Sequence, residues 1–176
     1  MNIGLLILRL VLGMLLVGHG SQKLFGTLGG PGINGAGMYF DSIGFRPGKL
    51  MAVMAGGSEF GSGLLLILGF ITPVASAAIV GTLVVASSVH WKSGLWAQKG
   101  GYELALFYAT GAAALAFTGP GTYSLDYSIG FNKFSGISWG SLALAVGVLT
   151  GFAMIARSRR SLLATTALEN IDAKIA

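Results

Sequence analysis

Residues 3–20 read IGLLILRLVLGMLLVGHG, which is apolar enough to cross a bilayer although it carries Arg9 near its middle. Residues 50–70 read LMAVMAGGSEFGSGLLLILGF and carry Glu59 near their middle. An ionised side chain at this depth costs at least about 2.5 kcal/mol unless it is paired or faces water. Opposite charges at matching depth in neighbouring spans therefore predict a buried Arg9–Glu59 pair in the interior of a helical bundle.

The composition is that of an integral membrane protein. Of the 176 residues, 53% are hydrophobic and only 10% are charged, whereas soluble domains carry about 25% charged residues. There is no cysteine, which excludes thiol redox chemistry, disulfide bonds, cysteine-ligated clusters and covalently attached c-type haem. The formal charge of +5 comes from loops and the tail. The positive-inside rule explains it better than nucleic-acid binding does, so no nucleic-acid partner is predicted.

Five apolar stretches approach the length of about 20 residues that a membrane-spanning helix needs. They are residues 3–20, 50–70, 74–89, 102–117 and 138–156, of which the third and fourth are short. Since backbone polar groups in lipid must be satisfied internally, we predict a helix for each stretch and an all-α polytopic fold. The Gly-rich first connection, residues 21–49, is predicted to contain a short interfacial helix.

The basic residues predict an orientation in the bilayer. One side of a five-span bundle carries Lys23, Arg46, Lys49, Lys92, Lys99, Arg157, Arg159, Arg160 and Lys174. The other side carries Lys133. Because cytoplasmic loops are enriched in lysine and arginine, we predict a multi-pass protein whose N-terminus lies outside and whose C-terminus lies in the cytoplasm.

A second group of polar residues lies at the basic side of the predicted bundle. His19 and Lys23 end the first span one helical turn apart, His90 ends the third span, and Glu103 begins the fourth. Histidine beside a carboxylate is suited to proton exchange near pH 7. Together with the buried ion pair, these residues predict a polar path from the membrane rim to its middle. Such a path would protonate a quinone headgroup or bind a small polar ligand.

Other interpretations of these polar residues stay open. In one alternative, the buried pair has the structural role of fixing the helix register and takes no part in chemistry. In another, Lys23 simply extends its long side chain to the membrane interface. His19 and His90 are ligand types for haem b, and with Glu59 and Glu103 they are ligand types for a metal ion. Nothing in the spacing requires either group, so neither haem b nor a metal site is predicted.

Glycine patterns predict close helix contacts and one turn. Gly57-x-x-x-Gly61 and Gly147-x-x-x-Gly151 have the spacing with which membrane helices approach each other closely. A chain with 29 glycines also produces such spacings by chance. Gly119-Pro120-Gly121 should end the fourth span in a turn. We predict a structural role for Asp126 after this turn, as a cap or a partner of local backbone.

The order of several motifs carries a family resemblance. The motifs are Arg9, Gly18-His19-Gly20-x-x-Lys23-Leu24, Tyr39-Phe40 with Ile43-Gly44, Glu59 with Gly63-Leu64, Leu68-Gly69-x-x-Thr72-Pro73, His90, Glu103 and Gly119-x-Gly121-x-x-Ser124-Leu125-Asp126. Through them the chain resembles the DoxX family of small prokaryotic membrane proteins over about residues 3–130. The resemblance implies a four-helix transmembrane bundle in a prokaryotic inner (plasma) membrane. We accordingly divide the chain into a DoxX-like bundle, residues 1–134, and an additional span with a basic tail, residues 135–176.

The resemblance also implies a redox function. Members are often labelled oxidoreductases, DoxD-type relatives are linked to thiosulfate:quinone oxidoreductase, and DoxX proteins are linked to membrane redox-protection complexes. We therefore predict a membrane subunit of a quinone-linked redox system that docks a redox partner. The residues predicted to act in it are Glu59, Arg9, His90 and Glu103 as catalytic groups, with His19 and Lys23 binding the substrate.

The chain carries no motif for a redox cofactor of its own. Electrons are therefore expected to come from another membrane or soluble redox protein, and the chain is not predicted to act alone as an enzyme. The alternative is a non-catalytic accessory or scaffold subunit of a larger membrane complex. A small-solute carrier is less favoured because the sequence shows no inverted repeat. The sequence is compatible with a homo-oligomer.

Overall fold

A computed structural model describes the backbone of residues 2–175 and the side chains of residues 2–163. The helices are α1 Asn2–Phe25, α2 Gly32–Ser42, α3 Gly48–Leu68, α4 Thr72–His90, α5 Glu103–Thr118, α6 Leu125–Ser128 and α7 Ile137–Ile175. No strand occurs in the described backbone. The all-α prediction is therefore confirmed, and α2 is the short helix predicted in the first connection. The side chain of Lys174, part of the predicted basic tail, lies outside the described residues.

The predicted spans all form helices. Four of them, α1, α3, α4 and α7, are long and apolar enough to cross a membrane. At 16 residues, α5 is about 24 Å long, which is less than the roughly 30 Å of a hydrocarbon core. Conversely, α7 has 39 residues and extends well beyond that thickness. The chain is thus a multi-pass membrane protein with one short helix in its bundle.

Backbone contact between α1 and α3 sets the register of these antiparallel helices. A side chain added at Gly13 would meet the carbonyl oxygen of Gly63, and one added at Gly20 would meet that of Gly56. The prediction that Gly57-x-x-x-Gly61 forms the close contact is wrong, because an added Cβ at either glycine has nothing within 4 Å. The glycines that face α1 are instead seven residues apart, which is two helical turns.

The predicted contact through Gly147-x-x-x-Gly151 is confirmed. An added Cβ at Gly147 would meet the carbonyl oxygen of Ala77, and one at Gly151 would meet the side chain of Val84. Since residue numbers rise together on both sides of the contact, α4 and α7 run parallel. The additional C-terminal helix is therefore packed into the bundle beside α4 and α5.

These directions bring the basic residues to one end of the bundle, here called the basic end. The residues at this end are Lys23, Arg46, Lys49, Lys92, Lys99 and Arg157. The C-terminal half of α7 covers the α2–α3 connection there, because Ser158 Oγ donates to the Ile43 carbonyl at 3.2 Å and Leu162 packs on Gly44. The α3–α4 turn and residues 119–136 form the opposite end.

The core lies where α1, α3, α4 and α5 meet. Leu16, Leu66, Ile79 and Leu115 are almost completely buried in it. Large apolar side chains elsewhere point outwards from the bundle, such as Leu149 at 68% exposure. Outward-facing apolar side chains are expected for helices surrounded by lipid, since lipid gives no hydrophobic drive to bury them.

Candidate functional site

Arg9 is buried at the opposite end of the bundle. It is 1% exposed. Its Nη1 donates to the carbonyl of Pro120 at 2.9 Å and its Nη2 donates to the carbonyl of Tyr123 at 2.6 Å. The predicted Arg9–Glu59 pair is therefore wrong, because the guanidinium binds the backbone of the connection that follows α5.

Asp126 is equally buried and holds the same connection onto α4. Its carboxylate accepts hydrogen bonds from the amides of Ile71 and Thr72 at 2.7 and 2.9 Å, and from the Thr72 hydroxyl at 2.8 Å. A carboxylate in this position caps the helix and complements the helix dipole. The structural role predicted for Asp126 agrees with these contacts. The capped backbone, however, lies 54 and 55 residues earlier in the chain rather than locally.

Gly69 brings the two charges into one cluster. It has a φ of +62°, which favours glycine, and its carbonyl accepts from the Asp126 amide at 2.9 Å. A Cβ at this position would overlap the Arg9 guanidinium and the Ser124 side chain. We call Arg9, Gly69, Thr72, Tyr123 and Asp126 the Arg9–Asp126 cluster. It ties α1, the α3–α4 turn and residues 119–126 together.

Glu59 pairs with Lys23. The Nζ–Oε2 distance is 2.6 Å, and the side chains are 8% and 26% exposed for Glu59 and Lys23, respectively. The α1–α3 register explains why Arg9 is not the partner, since the Arg9 guanidinium lies against Gly69. Gly69 is ten residues from Glu59, or about 15 Å at 1.5 Å per residue. The first apolar stretch was predicted to end at residue 20, whereas α1 continues to Phe25.

His19 lies one helical turn before Lys23 on α1, as predicted. Its Nδ1 is 3.3 Å from Oε1 of Gln22, and its ring lies 6.0 Å from that of Tyr108 on α5. Gln22 and Tyr108 were not predicted as neighbours of the site. Glutamine carries no charge signal and tyrosine in an apolar helix resembles an ordinary core residue, so only the packing identifies them.

His90 and Glu103 hold the α4–α5 connection. His90 Nδ1 is 2.9 Å from the carbonyl oxygen of Gly100, and Glu103 Oε2 accepts from the Ala97 amide at 2.9 Å. The predicted side chains therefore bind separate partners and do not form one hydrogen-bonded polar path. Among the residues with described side chains, no group of three or more His, Asp or Glu is arranged to hold a metal ion.

A double-mutant cycle should separate the observed pair from the predicted one. We expect Lys23→Met and Glu59→Gln to show a coupling energy of at least about 1 kcal/mol in thermal unfolding, because each leaves the other partner buried and unpaired. Arg9→Gln and Glu59→Gln should be additive within about 0.5 kcal/mol. Coupling between Arg9 and Glu59, with additivity between Lys23 and Glu59, would instead support the Arg9–Glu59 pair.

An apolar groove between α2, α3, α4 and α7 was not predicted from sequence. Its volume is about 230 Å³, and its lining includes Phe40, Met51, Met54, Ser58 and Thr82. The Ser58 and Thr82 hydroxyl oxygens are 2.8 Å apart and form its main polar feature. On α3 the lining residues Met51, Met54 and Ser58 recur at helical spacing and share one face. The sequence does not show that this face meets α2, α4 and α7, so the groove appears only in the packed bundle.

A larger cavity of about 380 Å³ lies at the opposite end, between α4, α7 and the 126–134 segment. Its walls are almost wholly apolar and include Phe131, Phe134 and Trp139, whose rings pack edge to face in sequence. Asp126 also lines it, but the carboxylate is occupied by its bonds to α4. The cavity therefore offers apolar contact and little hydrogen bonding.

The comparisons with known proteins give one match. Residues 4–91 of this chain match the family model described as DoxX. The matched part contains α1 to α4, including Arg9, His19, Lys23, Glu59 and His90. No curated protein and no solved structure matches the chain.

Proposed function

Because this chain belongs to the DoxX family, we propose that it is the membrane subunit of a quinone-linked redox system. In this proposal it binds the ring of a quinone and receives electrons from a redox partner. The supporting observation is that two consecutive residues of α3 belong to two different features, the apolar groove and the ion pair. Ser58 lines the groove with its hydroxyl near Thr82, and Glu59 points to Lys23.

The groove has the chemistry that a quinone ring requires. Ligand sites for such molecules are mostly apolar and have a few oriented polar groups. Phe40, Met51 and Met54 supply apolar and polarisable contact, while a hydroxyl of Ser58 or Thr82 donates to a quinone carbonyl. A volume of about 230 Å³ accommodates a substituted ring, and the isoprenoid tail of the quinone would remain in the lipid.

The Lys23–Glu59 pair supplies ionisable groups on the α1 side of α3, outside the lining of the groove. Reduction of a quinone to a quinol consumes two electrons and two protons. The electrons come from the partner protein in this proposal. Lys23 is partly exposed towards the basic end and Glu59 is almost buried, so the pair extends from accessible surface into the bundle. In this proposal the pair exchanges protons at the basic end, while Ser58 and Thr82 are the polar groups that contact the ring.

Arg9, His90 and Glu103 have a different part in this proposal. Each binds backbone groups of a connection, so they position helices and do not touch the ring. We place the basic end in the cytoplasm of a prokaryotic cell, following the positive-inside rule. The electron-donating partner would then dock on the cytoplasmic connections.

Filling the groove should weaken quinone binding. We expect Met54→Trp to weaken binding of a short-chain ubiquinone by at least about tenfold, because the indole occupies the space of the quinone ring. A tenfold loss of affinity corresponds to about 1.4 kcal/mol of binding free energy. Equilibrium dialysis with the purified full chain in detergent measures the effect. Met38→Trp is the matched control, since Met38 lies on α2, is 73% exposed and does not line the groove.

One observation favours the alternative of a non-catalytic accessory subunit. Most of the ionisable side chains predicted to be catalytic bind backbone within the chain, as structural groups do. Wild-type protein that binds no quinone but co-purifies stoichiometrically with a larger membrane complex would favour this alternative. Equal quinone affinity in wild type, Met54→Trp and Met38→Trp would instead remove the groove from the proposal.

A further inference from the structure

A small polar pocket lies at the basic end, between the α2–α3 connection and α7. Its volume is about 110 Å³, and its lining includes Arg46, Arg157, Ser158 and Ser161. Two arginines line a space of this size, and no carboxylate does. Such a lining matches an oxygen-rich anion, and arginine forks match phosphate geometry in particular.

The Arg157 guanidinium can donate further hydrogen bonds in this pocket. Its Nη1 donates to the sulfur of Met51 at 3.5 Å, and a thioether is a weak acceptor. Within the part of the chain whose side chains are described, Arg157 forms no salt bridge. A guanidinium has five N–H donors, so Arg157 can bind an anion without breaking a strong bond.

The walls of the pocket are held in place before any ligand binds. Ser158 is 5% exposed and donates to the Ile43 carbonyl at 3.2 Å. Gly44 has a φ of +87° and lies directly against Leu162. These contacts fix α7 against the connection, so a ligand would meet a preformed site and lose little affinity to ordering the protein.

The polar pocket is continuous with the mouth of the apolar groove. Phe45 and Met154 line both spaces, so a charged pocket leads directly to apolar walls. Arg157 directly follows the apolar stretch 138–156 of α7 and precedes Arg159 and Arg160, which places it at the basic end of that stretch. A ligand with an anionic head and an apolar chain therefore fits the whole surface better than a free anion does.

We propose that this pocket binds the phosphate of an anionic phospholipid. The phosphate accepts hydrogen bonds from Arg46 and Arg157, and one acyl chain lies against Phe45 and Met154. The deeper part of the groove, at Ser58 and Thr82, stays available for another ligand. Basic pockets between membrane helices at the cytoplasmic side are recognised sites for such headgroups. This inference is independent of quinone binding.

The test measures lipid affinity by native mass spectrometry on the delipidated full chain in detergent. Phosphatidylglycerol should bind, and zwitterionic phosphatidylcholine should bind at least about tenfold more weakly. Arg157→Gln should lower the affinity for phosphatidylglycerol by about tenfold. Arg160→Gln is the matched control, because it removes the same charge from the same helix outside the pocket lining and should leave the affinity within about twofold.

A second variant keeps the test decisive if Arg157→Gln does not fold. Arg157→Lys retains the charge and loses the planar fork, so it should bind phosphatidylglycerol about threefold more weakly than wild type. Equal losses of phosphatidylglycerol affinity in Arg157→Gln and Arg160→Gln would contradict a specific site in the pocket. The lipid would then be attracted by the overall positive charge of the basic end. Saturation by inorganic phosphate at the concentration that saturates with phosphatidylglycerol would overturn the lipid assignment.

Discussion

Replacing Arg9 by leucine should destabilise the protein by about 3–5 kcal/mol. The substitution leaves the carbonyls of Pro120 and Tyr123 without their donors and leaves the buried Asp126 carboxylate without a neighbouring positive charge. Thermal unfolding of the purified chain in detergent should show a midpoint lower by about 10 °C. Fluorescence-detected size exclusion after heating measures this shift.

Ile7→Ala is the control for this prediction. Ile7 lies on the same helix and is 57% exposed, so its truncation should change the free energy of unfolding by no more than about 0.5 kcal/mol. An Arg9→Leu protein that is as stable as wild type, or more stable, would contradict the structural role of the Arg9–Asp126 cluster. The guanidinium would then cost desolvation free energy without a compensating contact.

Gly63→Leu should separate α1 from α3 and cost at least about 3 kcal/mol, at the upper end of the range for overpacking. A Cβ at Gly63 would lie 2.7 Å from the carbonyl oxygen of Gly13 and 2.9 Å from the amide nitrogen of Val17. Both atoms belong to backbone and have no rotamer in which to move away. The same thermal assay measures the loss, together with the fraction of monodisperse protein.

Gly57→Leu distinguishes the α1–α3 contact at Gly63 from the predicted contact through Gly57-x-x-x-Gly61. Gly57 is also in α3, and an added Cβ there has nothing within 4 Å. We expect a change of no more than about 0.5 kcal/mol, with some stabilisation from better helix propensity. A larger loss for Gly57→Leu than for Gly63→Leu would show that the α1–α3 register is different.

The helical membrane fold was predictable because hydropathy is a local property. Each apolar stretch must form a helix to satisfy its backbone in lipid, and the family motifs within residues 4–91 are also carried by short segments. The contact through Gly147-x-x-x-Gly151 agrees with its pattern because that face of α7 meets α4. The similar spacing at Gly57 and Gly61 failed because a glycine pattern does not specify which face of the helix meets a neighbour.

The partners of the buried charges depended on register and on helix length. Arg9 and Glu59 were paired because each stands near the middle of its apolar stretch, but α1 extends to Phe25, beyond the stretch that ended at residue 20. The packing of α1 on α3 places Lys23 beside Glu59 and Arg9 beside the connection after α5. Glu59 would have a positively charged partner whether it paired with Arg9 or with Lys23. Charge complementarity in the sequence therefore cannot distinguish the two pairings.

The multi-pass helical fold and the DoxX family are predictable from the chain alone, because hydropathy and motif order are properties of consecutive residues. The packed helices were needed to show that Asp126 caps α4, that Lys23 pairs with Glu59, and that a groove lies beside Ser58. These features join residues from different helices. Their geometry follows from which helix faces pack together, and a single residue of register changes every such contact.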